Sequence, residues 1–236
     1  MVRGLSESQW HEADNAEQIA IKLASTVEKN LSETIETHGK ASLVVSGGST
    51  PLPFFRHLSQ ASLDWSAIDV TLADERWVSE EHEDSNARFV KKHFLTGAAS
   101  SARFFSLYRD KTPESAIDEI QTALGEMTQP FSVVVLGMGG DGHTASLFPD
   151  TEGLEDALNL DNRQMLAVLH PATVAQVRIT LTRAALLRSR YRYLHITGEQ
   201  KRDVLTNALE HDVEIPLPIA SFFEKHLPPI SVYWSP

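Results

Sequence analysis

The feature that most constrains this chain is a repeated change of hydrophobic period. Short apolar runs give way to helical spacing and back, with glycine or polar loops at the changes. A long helix is predicted over residues 14–38, where Ala16, Ile19, Ala20, Leu23, Ala24, Val27, Leu31 and Ile35 recur at helical intervals and Gly39 ends the run. Asp14 and Glu17 fit a capping-box-like start. Residues 41–46 read as a buried strand running into Gly47-Gly48-Ser49-Thr50-Pro51, where Thr50 suits an N-cap and Pro51 the first helical turn. Further strands are expected at 68–73, 103–107, 131–136, 165–170, 178–182 and 191–197, with helices at 85–94, 113–127 and 199–209. Strands alternating with helices imply a mostly parallel sheet covered on both faces. No linker or repeat divides the chain, so a single domain over 1–236 is expected.

Composition narrows the class. Hydrophobic residues make up 42% of the 236, enough for a core. The net charge of −11 disfavours a general nucleic-acid binder, which needs basic surplus, although it leaves room for a local basic pocket. No cysteine is present, which removes disulfides, thiolate metal sites and cysteine nucleophiles. No apolar run reaches membrane-spanning length and residues 1–14 lack the apolar core of a secretory signal, so a cytoplasmic protein without a membrane partner is expected. Nothing in the sequence sets an oligomeric state.

Ligands of such sheets bind outside the carboxyl ends of the strands, and the distinctive residues gather there. Gly47-Gly48-Ser49-Thr50 is either a phosphate seat, with exposed amides at a helix start, or a tight turn needing no ligand. Asp74-Glu75-Arg76 follows a strand; Arg76 suits an anion or a developing oxyanion, against a surface salt-bridge cluster as the plainer reading. Gly137-Met138-Gly139-Gly140-Asp141-Gly142 matches the dinucleotide fingerprint in spacing, but Pro149 leaves no room for the long helix that fingerprint requires. His143 follows that glycine turn, placed for proton transfer near neutral pH. His11, His38, His57, His82, His93, His211 and His226 stand without a motif, and no His-x-x-x-His pair suggests zinc. Residues 80–84 read as a solvated acidic loop, with Asp84, Ser85 and Asn86 able to cap the next helix. Lys201 falls in the first turn of a helix, where a cation invites an anionic partner. Arg178 is a second candidate clamp, while Trp10, Trp65 and Trp234 read as packing.

Together these segments resemble the 6-phosphogluconolactonase family, within the wider superfamily of glucosamine-6-phosphate deaminase-like folds. The resemblance runs in order through SGGSTP at 46–51, ADERWV at 73–78, DSN at 84–86, LGMGGDGHTASLFP at 136–149, RITLT at 178–182 and TGEQKR at 197–202. It implies a Rossmann-like α/β fold with a smaller subregion, and hydrolysis of 6-phospho-D-glucono-1,5-lactone to 6-phosphogluconate without metal or organic cofactor. By motif position it makes His143 the general base, with Asp141 shaping its loop and Asp74 and Arg76 lining the reacting end. Gly47, Gly48, Ser49, Thr50, Asn86, Gly139, Arg178 and Lys201 are implied to hold phosphate or substrate. Deaminases share SGGSTP and TGxxK, but their DGHIAFNEP motif carries an acidic residue where this chain has DGHTASLFPDT. A sugar-phosphate-sensing domain without catalysis is a further alternative that fold alone does not separate.

Overall fold

A computed structural model describes residues 9–149, 151–210 and 217–236; residues 1–8 at the N-terminus and His211 lie outside them. The strands are β1 (Trp10–Glu12), β2 (Ala41–Val45), β3 (Ile68–Leu72), β4 (Asp74–Arg76), β5 (Arg103–Phe105), β6 (Phe131–Leu136), β7 (Leu166–Leu169), β8 (Arg178–Leu181), β9 (Ser189–Thr197) and β10 (Ser231–Ser235). The helices are α1 (Ala16–His38), α2 (Leu52–Leu58), α3 (Asn86–His93), α4 (Pro113–Gly125), α5 (Leu154–Leu158), α6 (Arg183–Leu187) and α7 (Glu199–Glu210). Seven strands form a parallel sheet in the order β1-β10-β9-β6-β2-β3-β5, and β4-β8-β7 form a separate antiparallel sheet. The fold is α/β, mostly parallel, with helices packed on the sheet.

The central strands explain the architecture. Every residue of β2, β3 and β6 is buried, as expected of strands covered on both faces, with Ser42, Asp69, Thr71 and Ser132 the polar residues among them. Each fully buried Val or Leu there contributes about 1.5–3 kcal/mol of transfer free energy. Helix α1 lays Ile19, Ala20, Leu23, Val27 and Leu31 into this core, and Gly39 ends it with φ of 76°, its N–H donating to the Ile35 carbonyl at 2.7 Å.

Several local expectations are corrected. Helix α1 starts two residues late, because Asn15 rather than Asp14 supplies the cap, accepting from the Gln18 N–H at 3.0 Å. Thr50 does not cap α2: the cap position falls to Pro51, in a near-helical conformation with no side-chain bond. Residues 74–76 are a strand, not a loop; β8 pairs with it and β7 pairs with β8, both outside the main sheet. The surface-cluster reading of Asp74-Glu75-Arg76 fails because Asp74 and Glu75 are buried. β1 and β10, absent from the sequence reading, extend the main sheet beside β9.

Candidate active site

An open cleft of about 270 Å³ lies at the carboxyl ends of the parallel strands. Its wall includes the loops after β2 and β6, the start of α7, and Asp74, Arg76 and Asn86. Of the residues singled out in the sequence, Gly47, Gly48, Ser49, Thr50, Asp74, Arg76, Asn86, Gly139, His143 and Lys201 all line it. Asp141 reaches the cleft through His143. Arg178 stands behind Arg76, its register partner across β4 and β8, and is buried with its guanidinium 5.9 Å from the Phe148 ring centroid. Burial, with Arg76 alongside, lowers its pKa.

The β2 loop owes its shape to two close approaches. Ser46 Oγ donates to the Val135 carbonyl and accepts from the Gly137 N–H, both at 3.3 Å, tying the loops after β2 and β6 together. A Cβ on Gly47 would sit 2.1 Å from Asn86 Oδ1, so only glycine fits beside that side chain. Gly48 has φ of 91°, a conformation glycine adopts without penalty. On α7, Lys201 is half-buried, and desolvation lowers its ammonium pKa from the ordinary lysine value.

The loop after β6 holds His143 by its own backbone and by a carboxylate. Asp141 Oδ1 is 2.6 Å from His143 Nδ1 and accepts from the His143 N–H at 3.2 Å. An anionic acceptor at Nδ1 fixes the tautomer, leaving Nε2 as the basic nitrogen. Burial alone would raise the Asp141 pKa, but the charge and hydrogen bonds of His143 outweigh it and hold the carboxyl below its usual range. The His143 ring stacks on Phe148 with centroids 4.1 Å apart, and a Cβ on Gly139 would meet it at 2.2 Å. Ala145 carries a φ of 49°, uncommon for a residue with a side chain. Ser146 then donates to Asp74 Oδ2 at 2.6 Å, joining this loop to β4.

Two residues went unread in the sequence. Glu75, fully buried, accepts four hydrogen bonds: from the backbone N–H of Arg76 at 2.8 Å, of Asn86 at 2.7 Å and of Ala87 at 2.7 Å, and from Ser85 Oγ at 3.1 Å. Desolvation pushes its pKa up to about 7 against those bonds. Its only sequence signal is its place between two expected site residues. His195, on β9, lines the cleft while buried, with both ring nitrogens lacking a hydrogen-bond partner among the described residues. Burial, then the nearby Lys201 charge, pushes its pKa down to about 4. Nothing next to it in β9 marks such a residue, since its surroundings include Phe54 of α2 and Lys201 of α7.

The sequence model of the family described as glucosamine-6-phosphate isomerases/6-phosphogluconolactonase matches residues 14–234. The chain belongs to that family. A protein named 6-phosphogluconolactonase from Pseudomonas aeruginosa is 41% identical over 234 residues, covering 99% of this chain and 96% of that one. A Rhizobium meliloti protein of the same name is 40% identical, covering 97% and 99%. Among solved structures, a 6-phosphogluconolactonase from Shewanella baltica superposes with a TM-score of 0.93 at 42% identity over the full length of both chains. The family's description covers both reactions, and the relatives about 40% identical along the full length carry the lactonase name.

Proposed function

We propose that this protein is a 6-phosphogluconolactonase, hydrolysing 6-phospho-D-glucono-1,5-lactone to 6-phosphogluconate in the oxidative pentose phosphate pathway. The observation that carries the reading is the 2.6 Å Asp141–His143 pair placed in a cleft that also holds Asp74, Arg76 and Lys201. A lactone is an ester, so activated water suffices and no covalent enzyme intermediate is needed.

In the proposed mechanism the phosphate rests on the amides of Gly47, Gly48, Ser49 and Thr50 and on Lys201. That supplies the positive pocket a dianion needs within an acidic protein. Arg178 adds positive field from behind Arg76. Asn86 and Gly139 shape the wall around the sugar. His143 Nε2 takes a proton as water oxygen attacks C1, while Asp141 steadies the imidazolium. Arg76 and loop N–H groups stabilise the negative charge on the carbonyl oxygen. Collapse of the tetrahedral intermediate breaks the C1–ring oxygen bond, and the imidazolium returns its proton to the departing oxygen. Asp74 holds the His143 loop through Ser146. The protein acts as one domain in the cytoplasm, with the phosphorylated lactone as its partner.

The test is lactone hydrolysis by purified protein, coupled to oxidation of 6-phosphogluconate and corrected for spontaneous ring opening. Turnover supports the proposal. Its absence together with ammonia release from glucosamine 6-phosphate would move the chain to the deaminase branch, and binding without either reaction would make it a sensor.

A further inference from the structure

Between the two cleft-lining residues of β4 lies a carboxylate that does not line the cleft. Glu75 is fully buried, and both of its oxygens are occupied by donors from two separate segments. Oε1 takes the N–H groups of Arg76 and Asn86; Oε2 takes the Ala87 N–H and the Ser85 hydroxyl. Three of these donors belong to the start of α3, where Ser85 also caps the Arg88 N–H at 3.1 Å. Asn86 completes the connection by donating from Nδ2 to the Asp74 carbonyl at 3.0 Å. Glu75 thus makes most of the bonds that space β4 from α3, beside the Asn86 bond and Arg76 Nη1 donating to the Asp84 carbonyl at 2.5 Å, and three residues of those elements, Asp74, Arg76 and Asn86, line the cleft.

We propose that Glu75 is a positioning residue for turnover, its carboxylate bracketing β4 to the start of α3 so that Asp74, Arg76 and Asn86 stand at the reacting end. This rests on the lactonase reading given above. The bracket has a chemical requirement that few side chains meet. All three backbone partners are fixed donors, and they fall on both oxygens, so a carboxamide in either orientation sets its NH₂ group against at least one N–H. Only an acceptor at both positions leaves the bracket unstrained. Gly47 packs against Asn86, but Gly48, Ser49, Thr50 and Lys201 stand on other elements and take no bond from Glu75, so that part of the proposed phosphate seat is independent of it.

That independence supplies the test. Glu75→Gln is measured for kcat and KM on the lactone, for competitive inhibition by inorganic phosphate, and for amide hydrogen exchange at Asn86 and Ala87. The expected result is a kcat lower by about tenfold or more, the scale for losing one charged hydrogen-bonding partner, with the phosphate inhibition constant within about twofold of wild type and faster exchange at both amides. A kcat within twofold of wild type overturns the proposal. So does a parallel loss of kcat and phosphate affinity, which marks general destabilisation. If Glu75→Gln does not fold, Ser85→Ala decides: a severalfold drop in kcat at constant phosphate inhibition supports the bracket, and unchanged kcat overturns it. A wild type that fails to hydrolyse the lactone counts against the proposed function instead. The exchange rates then decide for Glu75, slow exchange in the variant overturning the bracket.

Discussion

The cleft has two regions built by different means. The β2 loop and the start of α7 offer backbone amides and one ammonium, carried on short continuous stretches of chain, with Ser46 tying the β2 loop to the β6 loop. The other region, Asp74, Arg76, Asn86 and the His143 loop, is assembled from segments far apart in sequence, joined by Glu75 to α3 and by the Ser146–Asp74 bond. The first suits holding an anion whatever follows. The second suits responding to charge that appears during a reaction, because its groups are fixed in advance by buried bonds. Under the proposed mechanism, damage to the first region should appear in KM and damage to the second in kcat.

The strongest way to break that division is His143→Asn. Removing the general base should lower kcat by about 10²–10⁴-fold while leaving phosphate inhibition nearly unchanged; steady-state kinetics with phosphate as competitor reads both. Near-normal kcat would end the histidine-base mechanism. Asp141→Asn keeps the ring but withdraws the charge at Nδ1, and a loss of about 10–100-fold in kcat is expected. On the other region, Lys201→Ala should raise KM about tenfold or more with kcat largely kept, and an unchanged KM would remove Lys201 from the phosphate seat. Burial lowers the Lys201 pKa, so its charge is lost as pH rises, earlier than for an ordinary lysine. Inhibition by inorganic phosphate should accordingly weaken on the alkaline side before the ordinary lysine value of 10.5 is reached.

The smallest effect on turnover is expected from His195, and it is read in stability. Burial holds its pKa near 4 in the folded protein, below the ordinary histidine value of 6.5, so the unfolded chain binds the extra proton between those values. Its contribution to stability is present above 6.5 and falls as pH drops toward 4, by roughly 3 kcal/mol in total. Glu75, raised from 4.5 to about 7, acts in the opposite sense, its contribution being lost as pH rises through 7. Denaturant melts of wild type and His195→Phe at pH 5 and pH 7 separate the two: the variant should lose less stability on acidification. An identical loss would mean that His195 is not held neutral.

The same contrast explains what the sequence made legible. β2 and β6 declare themselves as largely apolar runs with glycine close behind, and the loops after them follow directly. β4 does not, because three polar residues two positions beyond β3 become a strand only by pairing with β8. β7 and β8 look like members of the main alternation, and nothing local tells that they pair with each other and, through β8, with β4. The Asp141–His143 pair is readable from a spacing of two residues. Glu75 is not, since its donors at 86 and 87 are fixed by the fold rather than by neighbours in the chain. His195 is hidden by the same rule, its burial beside Phe54 being a product of packing.

The contact of Gly47 with Asn86 has a consequence for how such a chain can change over generations. A methyl group at position 47 would collide with the Asn86 amide, and that amide is already engaged with the Asp74 carbonyl. A one-carbon change in the phosphate seat is therefore transmitted to the far side of the cleft, and the two substitutions become non-additive. The order in which they arise matters: position 86 must shrink before position 47 can grow. Descendants that altered the loop first would lose Asp74 placement before any compensation could arrive, so the two positions should drift as a pair or not at all.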